Sequence, residues 1–564
     1  MSKTIWDESD TIRIRAGQDL AIEILKARGL NPDEIDEFID PKYQTELGDK
    51  TSLPDIDKAV HRISSAINNK EKIAIYGDYD IDGLTATALL NDYFNQAGVD
   101  VVLYIPDRFE EGYGLNTKAL LDLHKSGVNL VISVDCGTTA HEQIKKAAQA
   151  GLDIIVTDHH EPDNSEPKYC VACVNPKLSN DPNLRNLAGV GVAFYLVRAL
   201  QSELNLLQPG QEKWLLDLVA LGTICDIVPL TGDNRVLASF GLRVMRKTRR
   251  PGLRALAKQA GIDTTKLTES DLGFKLGPRL NAAGRLTHAK KALELLTTES
   301  QNVAEACATE LGDLNTKRQT ETKEIFADAS KQAKKYRDQP VLVLSSPDWS
   351  HGIVGIVASR IAEKFHKPTI LIQETGETAK GSARSYNKFN IIDAIRACEE
   401  VLDKFGGHSF AAGITLKTEK IEEFRYRINE YAIANMDVEN NFRTISIGVK
   451  TQKQSPSIDM YDQLNKLAPF GNSNPRPFLL SSLIVEDVRL VGSDASHLRL
   501  VVVDSMGSRH TAIGFGMANN WPWLERGIEI DVVYELTENI WKDKRNHQLE
   551  IVDIRKKEHK SRTN

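Results

Sequence analysis

Three aspartates alternate with other residues in the stretch Tyr76–Leu84 (YGDYDIDGL), which overlaps the end of an apolar run beginning at Ile73. They are Asp78, Asp80 and Asp82. If the apolar run is a buried strand that continues as an extended turn, its period of two places all three carboxylates on one side. Crowded carboxylates repel one another unless a cation neutralises them or water surrounds them. The stretch therefore predicts either a metal site or a solvated acidic loop.

The elements that must position these carboxylates form an alternating pattern of strands and helices over residues 73–156. The expected strands are Ile73–Tyr76, Val101–Ile105, Leu130–Val134 and Ile154–Val156. The expected helices are Leu84–Phe94, one near Lys118–Lys125 and one that ends at Ala150. Continuous apolar strands separated by helices predict a parallel sheet covered on both faces, and ligands of such sheets gather at the carboxyl ends of the strands.

Further candidate ligands occur where the later strands and one helix end. Asp135 follows the third strand, Asp158-His159-His160 follow the fourth, and Asp226 follows an apolar helix just before Pro229. A single aspartate at a strand end is usually a helix N-cap, but three acidic strand ends in one sheet favour a shared site. Carboxylates with one or two imidazoles and no thiolates suit Mn²⁺ or Mg²⁺ better than structural zinc. The pattern predicts a centre of two divalent cations bridged by one carboxylate, an arrangement that hydrolyses phosphoesters.

Four motifs resemble those of the DHH phosphoesterases. They are GDYDIDG at Gly77–Gly83, SVDCGTTA at Ser133–Ala140, TDHH at Thr157–His160 and CDIVPL at Cys225–Leu230. Their order and spacing, from about residue 72 onward, are similar to those of the branch of this family that degrades single-stranded DNA. The resemblance therefore implies a nuclease.

The resemblance also implies a role for each residue of the predicted centre. One cation would be bound by Asp80 and Asp135, and the other by Asp82, Asp135, His159 and Asp226, with Asp135 bridging. Asp78 and Asp158 would support these ligands, and His160 would face the scissile phosphate as a catalytic residue.

Arginine and glycine-rich segments are candidates for binding the phosphates of a substrate. Arg108 lies in the turn PDRFEEGYG, where an arginine is either solvated or makes a bidentate phosphate contact. An α/β block over Val341–Tyr431 contains SHGIVG, GSARS and GGH, in which glycines at helix starts suit anion binding. This block resembles the DHHA1 domain that follows DHH domains. The resemblance assigns the 5′ end to Arg108 and phosphate binding to Arg279, Ser382, Arg384 and His408.

Two segments between these blocks have less specific patterns. Arg243–Arg254 (RVMRKTRRPGLR) is the densest basic cluster, and it is either the solvated end of a helix or one wall of a nucleic-acid channel. Lys290–Tyr336 has helical periodicity with polar residues all around, which predicts a long interdomain helix.

The C-terminal part changes to short strands and turns. The expected strands are Phe478–Leu490, Leu498–Val503, Arg509–Phe515, Ile528–Tyr534 and Leu549–Ile554, the number found in an OB-fold barrel. Trp521, Trp523 and Trp541 lie here with Phe470 and Phe515 and several basic residues, which suits stacking on unpaired bases. Small barrels also need aromatic cores, so for any one tryptophan a core position is at least as good an interpretation.

Length and composition limit the remaining possibilities. A chain of 564 residues needs several cores, and a net charge of −7 excludes a histone-like coating of nucleic acid. The amino terminus lacks a targeting pattern and no stretch approaches 18 apolar residues, which predicts a cytoplasmic protein without a membrane segment. Six cysteines, including the pair Cys170 and Cys173, are expected to be reduced thiols. The expected domains are a helical cap (1–70), a DHH domain (71–235), a helical connector (236–336), a DHHA1 domain (337–435) and an OB-fold domain (445–560).

These observations predict an α/β fold with a parallel-sheet DHH domain and an α/β DHHA1 domain joined by a long helix, followed by a C-terminal β-barrel. The predicted function is metal-dependent 5′→3′ hydrolysis of single-stranded DNA to mononucleotides in recombination and repair, with two Mn²⁺ or Mg²⁺ ions. The polarity rests on the resemblance, which also implies a single-stranded-DNA-binding protein and a helicase as partners. The protein is expected to be a monomer. The alternatives are a phosphodiesterase or pyrophosphatase for small substrates, and a non-catalytic DNA-bound scaffold.

Overall fold

The computed structural model describes residues 4–13, 18–43, 47–108, 110–163, 167–436, 443–451, 454–542 and 544–557. Three sheets organise this part of the chain. Sheet I lies within residues 72–174, sheet II within residues 342–417, and sheet III within residues 443–556 together with two short amino-terminal strands. The described residues include no helix that is both long and apolar enough to span a bilayer.

The amino-terminal residues are divided between two cores instead of forming one cap. Strands β1 (Thr4–Asp7) and β2 (Ile12–Arg13) pair in parallel with a strand of sheet III. Helices α1 (Leu20–Ala27) and α2 (Pro32–Ile39) bury apolar side chains in the core of sheet III. Helix α3 (Ile56–Asn68) packs in the core of sheet I. The expected helical cap over residues 1–70 is therefore not a single unit, because the apolar faces of α1 and α2 match a surface more than 400 residues away along the chain.

Sheet I is a parallel sheet of five strands in the order β4-β3-β5-β6-β7. Its strands are β3 (Lys72–Tyr76), β4 (Val101–Tyr104), β5 (Val128–Val134), β6 (Asp153–Thr157) and β7 (Ala172–Val174). Its helices are α4 (Ile81–Gln96), α5 (Thr117–Lys125), α6 (His141–Gln149), α7 (Gly189–Leu204), α8 (Leu216–Cys225), α9 (Gly232–Met245) and α10 (Pro251–Gln259). The predicted parallel sheet is confirmed. Helix α4 begins at Ile81 and not at the expected Leu84, because the Asp80 side chain N-caps it.

After α9 and α10, which pack beside sheet I, the connector forms two further helical segments before its long helix. Helix α11 (Glu269–Asp271) continues through a π-helical turn (Leu272–Leu276) into α12 (Gly277–Leu286), which is followed by α13 (Lys290–Thr297). Helix α14 (Gln301–Lys335) has 35 residues and contacts both α10 beside sheet I and the first helix of sheet II. The expected long helix is thus interdomain, but it begins at Gln301 because the chain is extended at Thr298 and the Ser300 side chain caps the helix.

Sheet II is mixed, in the order β11-β12-β10-β9-β8, with only β8 and β9 parallel. Its strands are β8 (Leu342–Ser346), β9 (Thr369–Thr375), β10 (Thr378–Arg384), β11 (Lys404–Gly407) and β12 (Ala411–Lys417). Its helices are α15 (His351–Phe365), α16 (Ile391–Arg396) and α17 (Ile421–Asn435). The GSARS segment lies along β10 and GGH lies in the β11–β12 hairpin, so only SHGIVG stands at a helix start as expected.

Sheet III contains the predicted barrel. Its elements are β13 (Arg443–Lys450), α18 (Ile458–Asn465), β14 (Phe478–Val491), β15 (His497–Val503), β16 (Arg509–Gly514), β17 (Glu529–Trp541) and β18 (Lys544–Lys556). The order β14-β15-β16-β18-β17 closes through pairing of β17 with β14. Five strands closed in this order form the OB-fold barrel that the sequence predicts.

Candidate metal centre and phosphate pocket

The turn between β3 and α4 brings its aspartates together through a helix start. The Asp80 carboxylate accepts hydrogen bonds from the backbone N–H groups of Asp82 at 2.9 Å and Gly83 at 3.2 Å. Asp82 is buried in the first turn of α4 and accepts from the N–H groups of Gly189 at 2.6 Å and Val190 at 2.8 Å. Asp82 therefore lies between the amino termini of α4 and α7, whose dipoles favour negative charge. The period-two strand geometry expected for this stretch is wrong, because the strand ends at Tyr76.

Asp135 has a backbone conformation that is unusual for a residue other than glycine. It follows β5 with a φ of 60°, and its N–H donates to the carbonyl oxygen of Thr157 at 2.9 Å. Its carboxylate touches the start of α7, where a Cβ on Gly189 would lie only 2.8 Å from Oδ1 of Asp135. Strained backbone of this kind clusters at functional sites, where the surrounding structure fixes it.

The His159 imidazole points into a group of three carboxylates. Its Nε2 lies 3.1 Å from Oδ1 of Asp135, 3.6 Å from Oδ2 of Asp226 and 3.7 Å from Oδ2 of Asp82. Asp226 reaches this position from the carboxyl end of α8. Burial, and then the charge of His160, lower the pKa of His159 to about 4. The ring is therefore neutral at physiological pH, the form in which an imidazole binds a metal.

The donor atoms of this centre fit divalent cations. Asp78, Asp80 and Asp135 can each offer one ligand atom within 4.8 Å of the others, and so can Asp82, His159 and Asp226. Burial and the neighbouring carboxylates raise the pKa of Asp82 to about 7 and that of Asp226 to about 9. Among the described side chains, Oδ1 of Asp78 and Oδ1 of Asp135 are buried without a hydrogen-bond partner. Buried carboxylates of this kind need a positive charge, which Mn²⁺ or Mg²⁺ would supply.

Asp158 holds His160 as a cation beside this centre. Its carboxylate accepts from the Thr138 N–H at 2.9 Å and from Nδ1 of His160 at 2.8 Å. Burial opposes a charge on His160, but the hydrogen bond and charge of Asp158 raise the pKa of His160 to about 9. Burial would likewise raise the pKa of Asp158, but its bond to His160 lowers it on balance. The Tyr113 hydroxyl lies 3.1 Å from the His160 ring nitrogens, a contact that the sequence interpretation missed because Tyr113 was only one residue of a glycine-rich turn.

Three guanidinium groups converge between sheets I and II. Arg108 lies 5.1 Å from the centre of the Tyr79 ring, Nη1 of Arg384 donates to Oγ of Ser382 at 2.9 Å, and Nη1 of Arg285 donates to the Gly352 carbonyl at 3.3 Å. Burial, and then the charge of Arg108, lower the pKa of Arg384. Burial and the charges of Arg108 and Arg384 are among the effects that lower the pKa of Arg285 to about 10. We call Arg108, Arg285, Ser382 and Arg384 the arginine pocket, which would bind an anion.

Arg279 lies outside this pocket. Its Nε donates to the Gln259 side chain at 2.7 Å and its Nη1 to the Lys275 carbonyl at 2.8 Å. Arg279 and Arg285 are six residues apart on α12, so at 100° per residue their side chains point about 120° apart. Helical geometry therefore allows only one of them to face a given site, a signal that could have identified Arg285.

Helix α15 and the β11–β12 hairpin border the arginine pocket. A Cβ on Gly355 in the first turns of α15 would lie 2.9 Å from both Nη2 of Arg384 and Oγ of Ser382. His408 is exposed in the hairpin, and its N–H donates to the carbonyl of Ala411, the residue paired with Arg384 across the sheet. The amino terminus of α15 and the hairpin can therefore add donors to a bound phosphate.

The basic cluster at residues 243–254 is largely engaged with the protein. Arg250 is buried between Asp92 and Asp217, Arg249 stacks on Trp214 at 3.8 Å, and Nε of Arg246 donates to the Leu267 carbonyl at 2.8 Å. These contacts favour a structural role over a wall of a nucleic-acid channel.

The barrel separates its aromatic residues into two groups. Trp521 and Trp523 pack against the core of sheet III. Trp541 is 69% exposed at the β17–β18 turn, and Phe515 is 56% exposed beside His497. The exposed pair lies near the strands and turns that bind oligonucleotides in OB-folds.

Family models match each of the three sheets. The DHH family N-terminal domain matches residues 72–223, the DHHA1 domain matches residues 338–434, and the RecJ OB domain matches residues 449–553. With the site geometry, these matches define a DHH and DHHA1 protein that carries a C-terminal OB domain.

Comparison with whole proteins identifies the family within that class. The chain is 37% identical over 539 residues to the single-stranded-DNA-specific exonuclease RecJ of Bacillus subtilis (95% of this chain, 67% of that protein). It is 34% identical over 527 residues to the same enzyme of Escherichia coli (89% and 90%). RecJ from Thermus thermophilus, crystallised with Mn²⁺, superposes with a TM-score of 0.81 at 29% identity (99% of this chain, 80% of that chain). The chain belongs to the RecJ family, which confirms the resemblance drawn from its motifs.

Proposed function

We propose that this protein is a metal-dependent exonuclease that hydrolyses single-stranded DNA from the 5′ end to mononucleotides, in DNA recombination and repair. The observation that supports this most directly is that two sites of opposite charge, the metal centre and the arginine pocket, lie next to each other. Helix α12 contributes Arg285 to the arginine pocket, and a Cβ on the preceding Gly284 would lie 2.9 Å from the Tyr79 carbonyl in the aspartate turn. A phosphate in the pocket would therefore be held close to the carboxylates.

The carboxylates and His159 would hold two divalent cations. Asp80 and Asp135 would bind one, with Asp78 beside them, and Asp82, Asp135, His159 and Asp226 would bind the other, so that Asp135 bridges. When bound, such ions lower the pKa of water and neutralise charge that develops on a phosphoester. Asp78, Asp80 and Asp135 can form one ligand group and Asp82, His159 and Asp226 another. The 3.1 Å approach of His159 to Asp135 joins these two groups and supports a centre of two ions.

The cationic residues would bind and orient the strand. His160, charged because Asp158 holds it, would face the scissile phosphate and stabilise negative charge there. Arg108, Arg285, Ser382 and Arg384 would bind the terminal 5′ phosphate through charge-assisted hydrogen bonds, and His408 and Arg279 would contact neighbouring phosphates. We propose that an unpaired strand, and not a duplex, reaches this pocket between the two domains.

The polarity and the partners of the reaction rest on family membership. RecJ of Bacillus subtilis and Escherichia coli are named single-stranded-DNA-specific exonucleases. By the same resemblance, the proposed partners are a single-stranded-DNA-binding protein and a helicase. We also propose that the protein acts as a monomer.

A digest of labelled oligonucleotides tests the proposal. One single strand carries a label at its 5′ end, another at its 3′ end, and a duplex of the same sequence is the control, each with Mn²⁺, Mg²⁺ or EDTA. We expect the 5′ label to be released first as a mononucleotide, only from the single strand and only with a metal. Shortening from the 3′ end, or equal digestion in EDTA, would contradict the proposal.

A further inference from the structure

The loop that follows Asp226 begins with an unfavourable backbone conformation. The Asp226 N–H donates to the Gly222 carbonyl of α8 at 2.9 Å, and the Ile227 N–H makes only a longer hydrogen bond to the Ile224 carbonyl, at 3.4 Å. The next residue, Ile227, has a φ of 61°, although a β-branched side chain disfavours the left-handed region. The Ile227 side chain is 69% exposed, so burial does not compensate for this conformation. Contacts from elsewhere in the molecule must hold the loop.

One residue of the C-terminal module holds both ends of this loop. Nδ2 of Asn472 donates to the Ile227 carbonyl at 2.8 Å, and the Leu230 N–H donates to the Asn472 carbonyl at 2.8 Å. A Cβ on the neighbouring Gly471 would lie 2.7 Å from Cδ1 of Leu230, so the two segments are in direct contact. Asn472 is 245 residues beyond Ile227 in the chain.

The segment around Asn472 is itself fixed to the catalytic half of the molecule. The fully buried Asn474 donates to the carbonyls of Leu467 and Pro469, both at 2.8 Å. The buried guanidinium of Arg235, on α9, donates to the carbonyls of Ala468 at 3.0 Å and Pro469 at 3.4 Å. Asn472 is therefore presented to the Asp226 loop from a segment with little freedom.

We propose that Asn472 is a positioning residue for Asp226, so that the segment preceding the barrel completes the metal centre in addition to any role in binding DNA. The inference rests on the proposed function, in which Asp226 is a metal ligand. Helix ends fray unless the residues that follow them are held. By holding Ile227 and Leu230, Asn472 keeps the carboxyl end of α8, and with it the Asp226 carboxylate, in position for the cation.

Binding of Mn²⁺ to the full-length protein without DNA tests this role, with free Mn²⁺ measured by electron paramagnetic resonance. Asn472→Ala removes the side-chain donor, and Asn472→Asp keeps the size of the side chain but not the donor. Asn465→Ala is the matched control, because Asn465 accepts a hydrogen bond from Arg476 at 3.0 Å in the same module. Asn472 is exposed, so neither substitution is expected to change the melting temperature.

We expect both Asn472 variants to bind Mn²⁺ about 3- to 10-fold more weakly than wild type, the effect of losing one supporting hydrogen bond. Their turnover should recover at saturating Mn²⁺, their affinity for single-stranded DNA in EDTA should be unchanged, and Asn465→Ala should resemble wild type. Unchanged Mn²⁺ affinity in both Asn472 variants, or an equal loss in Asn465→Ala, would overturn the inference. A wild-type protein that binds Mn²⁺ but hydrolyses no strand would instead contradict the proposed function.

Discussion

The metal centre and the arginine pocket concentrate opposite charges, and the protein compensates for them differently. In the arginine pocket the guanidinium groups keep protein partners, such as the Ser382 hydroxyl and the Gly352 carbonyl. In the metal centre, Oδ1 of Asp78 and Oδ1 of Asp135 are buried without a hydrogen-bond partner in the described structure, and the ring that lies 3.1 Å from Oδ1 of Asp135 is the imidazole of His159. Burial and the neighbouring carboxylates raise the pKa values of both groups well above the ordinary range of a carboxylate.

This difference indicates which of the two sites should release its bound ion after each turnover. The arginines can exchange solvent for a substrate phosphate and return to their protein contacts after each turnover. Oδ1 of Asp78 and Oδ1 of Asp135 have no comparable hydrogen-bond donor, so the cations that they contact should remain bound between turnovers. The following substitutions test that distinction, beginning with the largest expected effect.

Asp135→Ala should remove nearly all hydrolysis while single-strand binding in EDTA remains measurable. Loss of the bridging carboxylate removes several kcal/mol of charge stabilisation, which corresponds to about 10³-fold or more in rate. The measurement is single-turnover cleavage of a labelled strand at saturating Mn²⁺. The exposed Asp122 on α5 gives the control Asp122→Ala, and near-normal cleavage by the Asp135 variant would refute a bridging role.

Gly189→Ala should impair the metal centre although it replaces none of the candidate ligands. The added Cβ would lie 2.8 Å from both Cβ and Oδ1 of Asp135, so the carboxylate must move. Displacing a supporting contact of this kind reduces metal affinity or activity by about 10- to 100-fold. Gly191→Ala, two residues along α7, is the matched control because the nearest atoms to its Cβ would belong to the Leu187 side chain, at 3.3 Å, and not to a carboxylate of the metal centre. Equal Mn²⁺ dissociation constants for the two variants would contradict the close contact.

The metal centre was more predictable from the sequence than the arginine pocket. The candidate ligands Asp135 and His159 follow strands whose apolar pattern is visible, and the carboxyl ends of parallel strands lie at the same edge of a sheet, so these two could be grouped in advance. Asp226 follows an apolar helix that is equally visible in the sequence. The pocket joins side chains from sheet I, α12 and sheet II, and no local pattern specifies how two domains face each other. The docking of α1 and α2 on sheet III and the contact between Asn472 and Ile227 are non-local for the same reason.

Arg384→Ala should reduce the preference for a 5′-phosphorylated strand end more than it slows the hydrolysis step itself. A charge-assisted hydrogen bond to a terminal phosphate is worth about 1.5–3 kcal/mol, so the preference for 5′-phosphorylated over 5′-hydroxyl substrate should fall about 10-fold or more. Arg285→Ala should behave similarly, whereas Arg279→Ala should affect both substrates alike. The readout is the ratio of kcat/KM values for the two substrates, and a ratio that Arg384→Ala leaves unchanged would remove Arg384 from the terminal-phosphate site.

Uncharged contacts of the barrel should have the smallest effect, and they should depend on strand length. Deleting the chain from Ala468 would also remove Asn472 and expose the apolar faces of α1 and α2, so substitutions of the exposed aromatic residues are the sharper test. A stacked base contributes about 1–3 kcal/mol, so Trp541→Ala and Phe515→Ala should each weaken binding of a long single strand about 5-fold or more. A strand too short to reach the barrel should be cleaved at the wild-type rate, because the metal centre and the arginine pocket are unchanged in these variants.

Tyr426→Ala on α17, where Tyr426 is 66% exposed, is the control for losing a surface aromatic residue. Equal affinities of the barrel variants and wild type for the long strand, measured in EDTA, would show that base stacking there does not contribute and that the charged sites alone hold the DNA.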